Sequence, residues 1–395
     1  MRKSFYLATL LFLAGCQNEL YKNPLDDFKS EQGAYIKGSS LLQTFVEEGK
    51  EVQVNGLQVA LAVQDAGEVK VKLEAGNQSQ LDAYNTKNGT DYIMLPENMY
   101  EISQELSFKP QFTLVDVPIL LKNVKFSLDG NYALPIRITG GDVNIIKEQE
   151  EALLILEQRV NTKALRVSTN GAGSGSEDAK MFPNDFKVDQ WTMEVMINRA
   201  SYRSNNRSIC GTKLVANSDS NDEIYVRFGD VTIEPNQLQI KTGRSQIDVP
   251  ADKFSAKPNT WYMLAFVYDG KKNSIYVNGE LVAEREIRTG PYGLVGFWIG
   301  GSNELIREVR FWKIARTPQE IASNVWKMVN PDDDNLLLYY PLNGKKRDTA
   351  TGEITEDETK LWDWSKNGKH LPMTSGYIFD NNNANGFIFP PAETN

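Results

Sequence analysis

The sequence predicts an all-β chain of two sandwich domains, and three observations carry that reading. Apolar residues recur every second position in short runs. Val52 and Val54, then Leu57, Val59, Leu61 and Val63, and then Val69, Val71 and Leu73 follow this rule, which is the spacing of half-buried strands. Asn278-Gly279 separates two further runs, and both central residues of a type I′ hairpin turn need positive φ. Helix signals are sparse by contrast. A length of 395 residues allows two or three domains, each with its own core.

Residues 1–16 read MRKSFYLATLLFLAGC. Arg2 and Lys3 precede the apolar run from Tyr6 to Ala14, which is too short to span a bilayer and fits a signal-peptide core. Leu13-Ala14-Gly15-Cys16 resembles a bacterial lipobox. The resemblance implies that Cys16 is the lipidated first residue of the mature chain; an ordinary secretory signal is the alternative. Residues 17–33 are polar, with Pro24 and Asp26-Asp27, and read as a tether. Cys210 is then left without a partner. No disulfide framework is available, so the cores must be hydrophobic, and Cys210 is expected to be a small buried hydrophobe.

The first domain is placed at 34–160. Ser79 to Asn85 reads as a helical turn capped by Ser79. Phe112–Val117, Ile119–Leu121, Leu134–Ile138 and Leu153–Leu156 add strands. About seven short strands suggest an immunoglobulin-like sandwich. L-D-A-Y-N-T-K-N-G-T-D-Y-I-M-L-P-E-N-M-Y, followed by N-Y-A-L-P-I-R-I-T-G-G, resembles an N-terminal domain of unknown function found on Bacteroidetes surface lipoproteins. There it precedes glycan-binding modules or glycosidases of polysaccharide-utilisation systems, which implies a presenting role.

Polar residues between Gln158 and Lys163 mark the boundary, and the second domain is placed at 163–391. Asn170 to Ser176 is a glycine-serine loop. Trp261 to Tyr268 is apolar on both alternating faces, so it should lie centrally in a covered sheet. Thr317-Pro318-Gln319-Glu320 is a capping box with proline at the first helical position. It predicts one helix over about 318–328, with Ile321, Val325 and Met328 facing inward. W-Y-M-L-A-F-V-Y-D-G with I-Y-V-N-G-E-L-V, W-T-M-E-V-M-I, I-R-E-V-R-F-W-K-I-A-R-T-P-Q-E-I and L-L-L-Y-Y-P-L-N-G together resemble the laminin-G-like, concanavalin-A-like jelly roll. That fold hosts lectins, adhesion modules and hydrolases alike.

The chemistry-bearing residues narrow the function. Net charge is −9 with no basic block, which argues against nucleic acid. Glycoside hydrolysis needs two carboxylates flanking the bond. The single-strand glutamate-x-aspartate-x-glutamate pattern of jelly-roll glucanases is absent, and Glu194 has no acidic partner two residues on. The single histidine, His370, leaves little for a zinc site or a serine triad. Concanavalin-like folds often hold calcium. Asp219, Asp222 and Glu223 are the oxygen-rich candidates, as are residues 380–383, with a solvated acidic loop as the alternative. Sugar binding needs aromatic faces beside planar polar groups. Tyr202, Arg203 and Asn205 share one loop, Tyr292 lies in another, and Trp298 alternates with Phe297, so that a core position and a platform both remain open for it.

These readings converge on a lipid-anchored, surface-exposed protein of the bacterial outer membrane. It would capture glycan for uptake or degradation by partner proteins. A glycoside hydrolase and an adhesion module for host protein are the alternatives.

Overall fold

The computed structural model describes residues 32–126, 131–167, 181–213, 222–301 and 303–391. Cys16, Asp219 and the loop at 170–176 lie outside them. The chain divides into two compact units between Arg159 and Val160.

The first unit is a β-sandwich. One sheet carries Leu41–Glu47, the strand from Glu151, Tyr132–Gly141, Val69–Ala75 and Glu105–Phe108 in that order. A second carries Asn144–Ile145, Gly33–Lys37, Gln58–Leu61 and Leu114–Asp116, and a third, of three strands, adds Val52–Val54, Ile119–Leu121 and Tyr100–Ile102. The period-two residues form its core: Val69, Val71 and Leu73 pack with Leu134, Ile136 and Ile138. The helix is longer than its sequence suggested, spanning Gln78–Asn88. Its cap is Asn77 rather than Ser79. The Asn77 side chain accepts from the Gln80 N–H while the Gln80 side chain accepts from the Asn77 N–H, a complete capping box. The expected strand at Phe112–Val117 shortens to Leu114–Asp116, and Phe112 is exposed.

The second unit is a two-sheet sandwich. Its larger sheet follows the order Glu280–Glu286, Lys272–Val277, Trp261–Tyr268, Trp191–Arg199, Glu304–Trp312, Ala164–Val167 and Tyr377–Asp380, with Leu336–Tyr340 also on Glu304–Trp312. Trp261–Tyr268 is therefore interior, as its two apolar faces require. The hairpin turn forms with Asn278 at φ 50° and Gly279 at φ 89°. The Asn278 side chain also accepts from the Met263 N–H at 2.9 Å, which ties the turn to the neighbouring strand. The smaller sheet follows the order Ser245–Asp248, Ile233–Thr242, Ile224–Asp230, Arg207–Lys213 and Gly296–Ile299.

The core lies between the inner faces of these sheets. Met193, Val195, Phe266 and Phe311 from one meet Cys210, Val226, Phe228, Ile240 and Phe297 from the other. Cys210 is fully buried, its sulfur 4.0 Å from that of Met193, and burial pushes its thiol pKa up. The helix after Thr317 has the expected capping box but covers only Pro318–Ser323. Asn324 caps it, and Trp326 takes a left-handed conformation at φ 67°, which a continuing helix excludes.

Candidate functional site

The five-stranded sheet has an inner face in the core and an outer face with a different composition. Strand register sets the outer face in two rows. Trp298 is paired with Gly211, Gly211 with Tyr225, Tyr225 with Lys241, and Lys241 with Gln246. In the next outward row, Ser208 is paired with Arg227, Arg227 with Gln239, and Gln239 with Asp248. The row between them points inward and is apolar throughout: Ile299, Cys210, Val226, Ile240 and Ile247. The alternation has period two on each strand except Arg207–Lys213, where a bulge between Ser208 and Cys210 also turns Ile209 inward.

The first row is an aromatic shelf. A side chain at position 211 would collide with the Ile224 carbonyl, the Tyr225 Cβ and the Trp298 ring carbon Cζ2, at 2.5, 2.6 and 3.0 Å from its Cβ. Glycine there lets the Trp298 indole rest against the strand, and its N–H donates to the Thr212 carbonyl at 3.2 Å. Trp298 and Tyr225 are both half-buried.

The second row is a fixed polar network. The Arg227 guanidinium donates to Gln239, to Asn206 Oδ1 at 2.6 Å, and to Asp230. Gln239 donates in turn to Asp230 Oδ2 at 3.2 Å and Asp248 Oδ1 at 2.5 Å. Gln239 is 0% and Arg227 7% exposed, so the network has little freedom to rearrange. Burial works to raise the Asp230 pKa, but the Val231 N–H, Gln239, Arg227 and Lys241 together hold it below the ordinary carboxylate value. The balance of two cations, Arg227 and Lys241, against Asp230 and Asp248 leaves the face without strong net charge. At the sheet edge, Gln246 and Asp248 also line a groove of about 480 Å³ with Pro250, Lys253, Val282 and Arg285.

The residues expected from sequence fall in several places. Trp298 is on this face. Asn205 and Arg203 are exposed on a loop at its margin, where Asn205 packs against Gly229, leaving no room for a Cβ there. Tyr202 is not an open platform. Its ring stands edge-on to Phe228 at 5.1 Å, the Arg199 guanidinium lies over it at 5.3 Å, and burial raises its pKa. Tyr292 is a core residue with 0% exposure, edge-on to Trp191 and Tyr268, its hydroxyl 2.5 Å from that of Thr242. Both rings were placed on loops by sequence, and both pack against the core of the second unit.

Of the calcium candidates, Asp219 lies outside the described residues, and those described are engaged elsewhere or apart. Asp222 is paired with Arg288 at 3.1 Å and Asp380 with Arg166. Glu223 is half-buried. Among the described residues no three His, Cys, Asp or Glu side chains are grouped to hold a metal ion. His370 accepts the Asp363 N–H through Nδ1 at 3.1 Å.

Glu194 is enclosed on the opposite side of the unit, beneath the eight-stranded sheet's own cover. It is 1% exposed. Trp312 Nε1 donates to it at 2.8 Å, and Arg316 and Arg310 lie at 3.3 and 3.5 Å. Burial would raise its pKa, but Arg316, Arg310 and the Trp312 hydrogen bond outweigh that and hold the carboxyl below its usual value. A buried, ionised and fully paired carboxylate is poorly suited to proton transfer or nucleophilic attack.

Residues 161–322 match the family described as the concanavalin A-like lectin/glucanases superfamily, and residues 21–145 match an N-terminal domain family. No curated protein matches the sequence. Among solved structures, a protein of Bacteroides ovatus named as a candidate carbohydrate-binding protein is 23% identical, with a TM-score of 0.57, over 88% of this chain and 97% of its own. Its likeness shows the fold. EndoBT-3987 of Bacteroides thetaiotaomicron, solved with a Man5GlcNAc product, is 16% identical over 32% of this chain and 30% of its own, with a TM-score of 0.26. Domain 4 of an arabinanase from Geobacillus stearothermophilus, solved with arabinotriose, is 12% identical over 41% and 87%, with a TM-score of 0.30.

Proposed function

We propose that the concanavalin A-like domain of this chain binds carbohydrate on the outer face of its five-stranded sheet. The observation that carries this is the Trp298 ring resting over Gly211 beside Tyr225, next to the Arg227–Gln239–Asp230–Asp248 network. A pyranose ring presents an apolar C–H face and a rim of hydroxyls. An indole shelf suits the first, and planar guanidinium, amide and carboxylate groups held in place suit the second. The lectin-like fold supports the same reading, as does the carbohydrate-binding name of the Bacteroides ovatus relative. The near-balanced charge of the face favours neutral sugars.

Binding without catalysis is the reading we favour, since Glu194 is enclosed. Delivery of the captured glycan to other polysaccharide-utilisation proteins is part of the proposal. So is anchoring to the outer membrane through Cys16, by the lipobox resemblance. Cys16→Ala should move the protein from the membrane fraction to the soluble one, and a variant that stays membrane-bound and lipid-labelled overturns the anchor.

The test of the face is a glycan-array screen of the soluble chain, followed by calorimetry on the best ligand. Trp298→Ala should weaken binding at least tenfold, about 1.4 kcal/mol, with the thermal transition retained. An unchanged dissociation constant would move the site elsewhere, first to the Arg203–Asn205 loop.

A further inference from the structure

A second cluster, remote in sequence from the proposed sheet-face site, combines an aromatic ring with unpaired cations. It is built on two short hairpins, Lys345–Arg347 with Ile354–Glu356 and Lys360–Leu361 with Leu371–Pro372. Trp362 is half-buried, and its indole N–H donates to the Asp357 carbonyl at 2.9 Å, which fixes the ring. The Lys346 ammonium lies 5.0 Å and the Lys360 ammonium 5.4 Å from the ring centroid. The His370 ring stands edge-on to it at 4.6 Å.

The carboxylates of this region are engaged by other groups. Glu356 pairs with Lys163 and Lys345, and Glu358 with Lys163. Asp357 is bonded to Thr359, and Asp348 to the N–H groups of Ala350 and Thr351, although both carboxyls feel the Lys346 charge. The Asp363 carboxylate accepts the N–H groups of Tyr339, Ser365 and Lys369. Among the described residues neither Lys346 nor Lys360 takes part in an ion pair. Two ammonium groups thus lie against one indole, with an imidazole beside them and no carboxylate paired directly to either among the described residues.

We propose that Trp362, Lys346, Lys360 and His370 form a second binding site, selective for the carboxylate of an acidic sugar. A carboxylate taken up by the two ammonium groups relieves their repulsion. The site is independent of the sheet face and stands if that reading fails. Lys346 and Lys360 are half-buried and exposed respectively, so their removal leaves the core intact.

His370 is the only histidine in the chain, so its imidazole gives a single resolved NMR titration. Burial, then Lys360 and Lys346, hold its pKa below the ordinary histidine value. The experiment titrates the full soluble chain in glucuronate, in glucose and in sodium sulfate, with ionic strength matched by sodium chloride. Glucuronate should raise the His370 midpoint, because a bound anion favours the imidazolium. Glucose should leave it unmoved, and sulfate should act more weakly at equal concentration. The Lys346→Ala, Lys360→Ala double variant should start from a higher midpoint and lose the glucuronate response. An unmoved midpoint in glucuronate, or the same response in the double variant, overturns the site. Sulfate acting as strongly as glucuronate overturns its assignment to a sugar.

Discussion

The two outward faces of the second unit use the same residue types for opposite ends. Each carries an arginine–carboxylate network beside tryptophan. On the eight-stranded sheet, Glu194, Arg310, Glu308 and Tyr339 form a chain of charge-assisted bonds, with Arg310 and Glu308 at 0% exposure. The segment after Trp312 lies over it: Thr192 donates to the Ile314 carbonyl, Ile321 packs on Ala265, Val267 and Tyr276, and Arg310 donates to the Lys327 carbonyl. On the five-stranded sheet, Arg227, Gln239 and Asp230 are bonded among themselves, while Trp298 and Tyr225 keep part of their surface in water. Both networks are largely buried; the difference is in the rings, Trp312 being 3% exposed while Trp298 and Tyr225 are half-buried. A polar network under the chain's own segments is a structural element whose loss is costly. A fixed polar network beside partly exposed rings is what the proposed binding face requires.

The sharpest way to break this comparison is Glu194→Ala. It leaves Arg310 and Arg316 facing each other in a dry site, and removing one partner of a buried ion pair costs about 3–5 kcal/mol. Urea unfolding should show that loss, and ligand affinity of the surviving folded fraction should be unchanged. If stability holds but turnover of a glycan disappears, the covered face is the functional one and the comparison is inverted.

Much of this was legible in the sequence, and what was not has identifiable causes. The hairpin at Asn278-Gly279, the doubly apolar Trp261–Tyr268 strand and the capping box at Thr317 follow from local chemistry, and all are present. The register of Glu304–Trp312 was hidden. Glu308 sits at φ 50°, and the pairing with Trp191–Arg199 slips between Glu194 and Met196. This bulge puts Arg307, Glu308 and Arg310 into one outward cluster, where strict alternation would separate Glu308 and Arg310 from Arg307. The proposed binding face was hidden for another reason. Tyr225, Arg227 and Gln239 lie on consecutive hairpin strands, but Trp298 joins them through the pairing of Gly296–Ile299 with Arg207–Lys213, distant in sequence, so no local pattern groups the indole with the polar row. Gly211 was the available signal: an isolated glycine in a strand marks a close approach. Tyr202 misled because loop position says nothing about which way a ring turns.

A smaller perturbation sharpens the contrast from the open side. Gly211→Ala places a methyl group within 2.5 Å of the Ile224 carbonyl and 3.0 Å of the Trp298 ring. Overpacking of this kind costs about 1–3 kcal/mol. The indole is the easier of the two to displace, so binding should fall along with stability. A variant that loses stability but binds at wild-type strength would show that the Trp298 position over Gly211 is incidental to recognition.

The smallest expected effect is on the acid limb of stability, and it separates the two networks by sign and size. Glu194 and Asp230 both have folded-state pKa values below their ordinary ones. As pH falls, the unfolded chain therefore takes up protons at these groups before the folded one does. The stability each contributes is fully present above its unfolded value, about 4 for such carboxyls, and is lost as pH falls through the lower folded value. Glu194 is 1% exposed and held by two arginines and an indole, whereas Asp230 keeps 17% of its side chain in water. Solvent screens the second more than the first. Urea unfolding between neutral pH and pH 3 should accordingly show the acid-limb slope reduced most in Glu194→Gln and only slightly in Asp230→Asn. Equal flattening in the two variants would mean that the five-stranded face is as closely coupled to folding as the covered cluster, and its network would then be structural rather than held ready for a ligand.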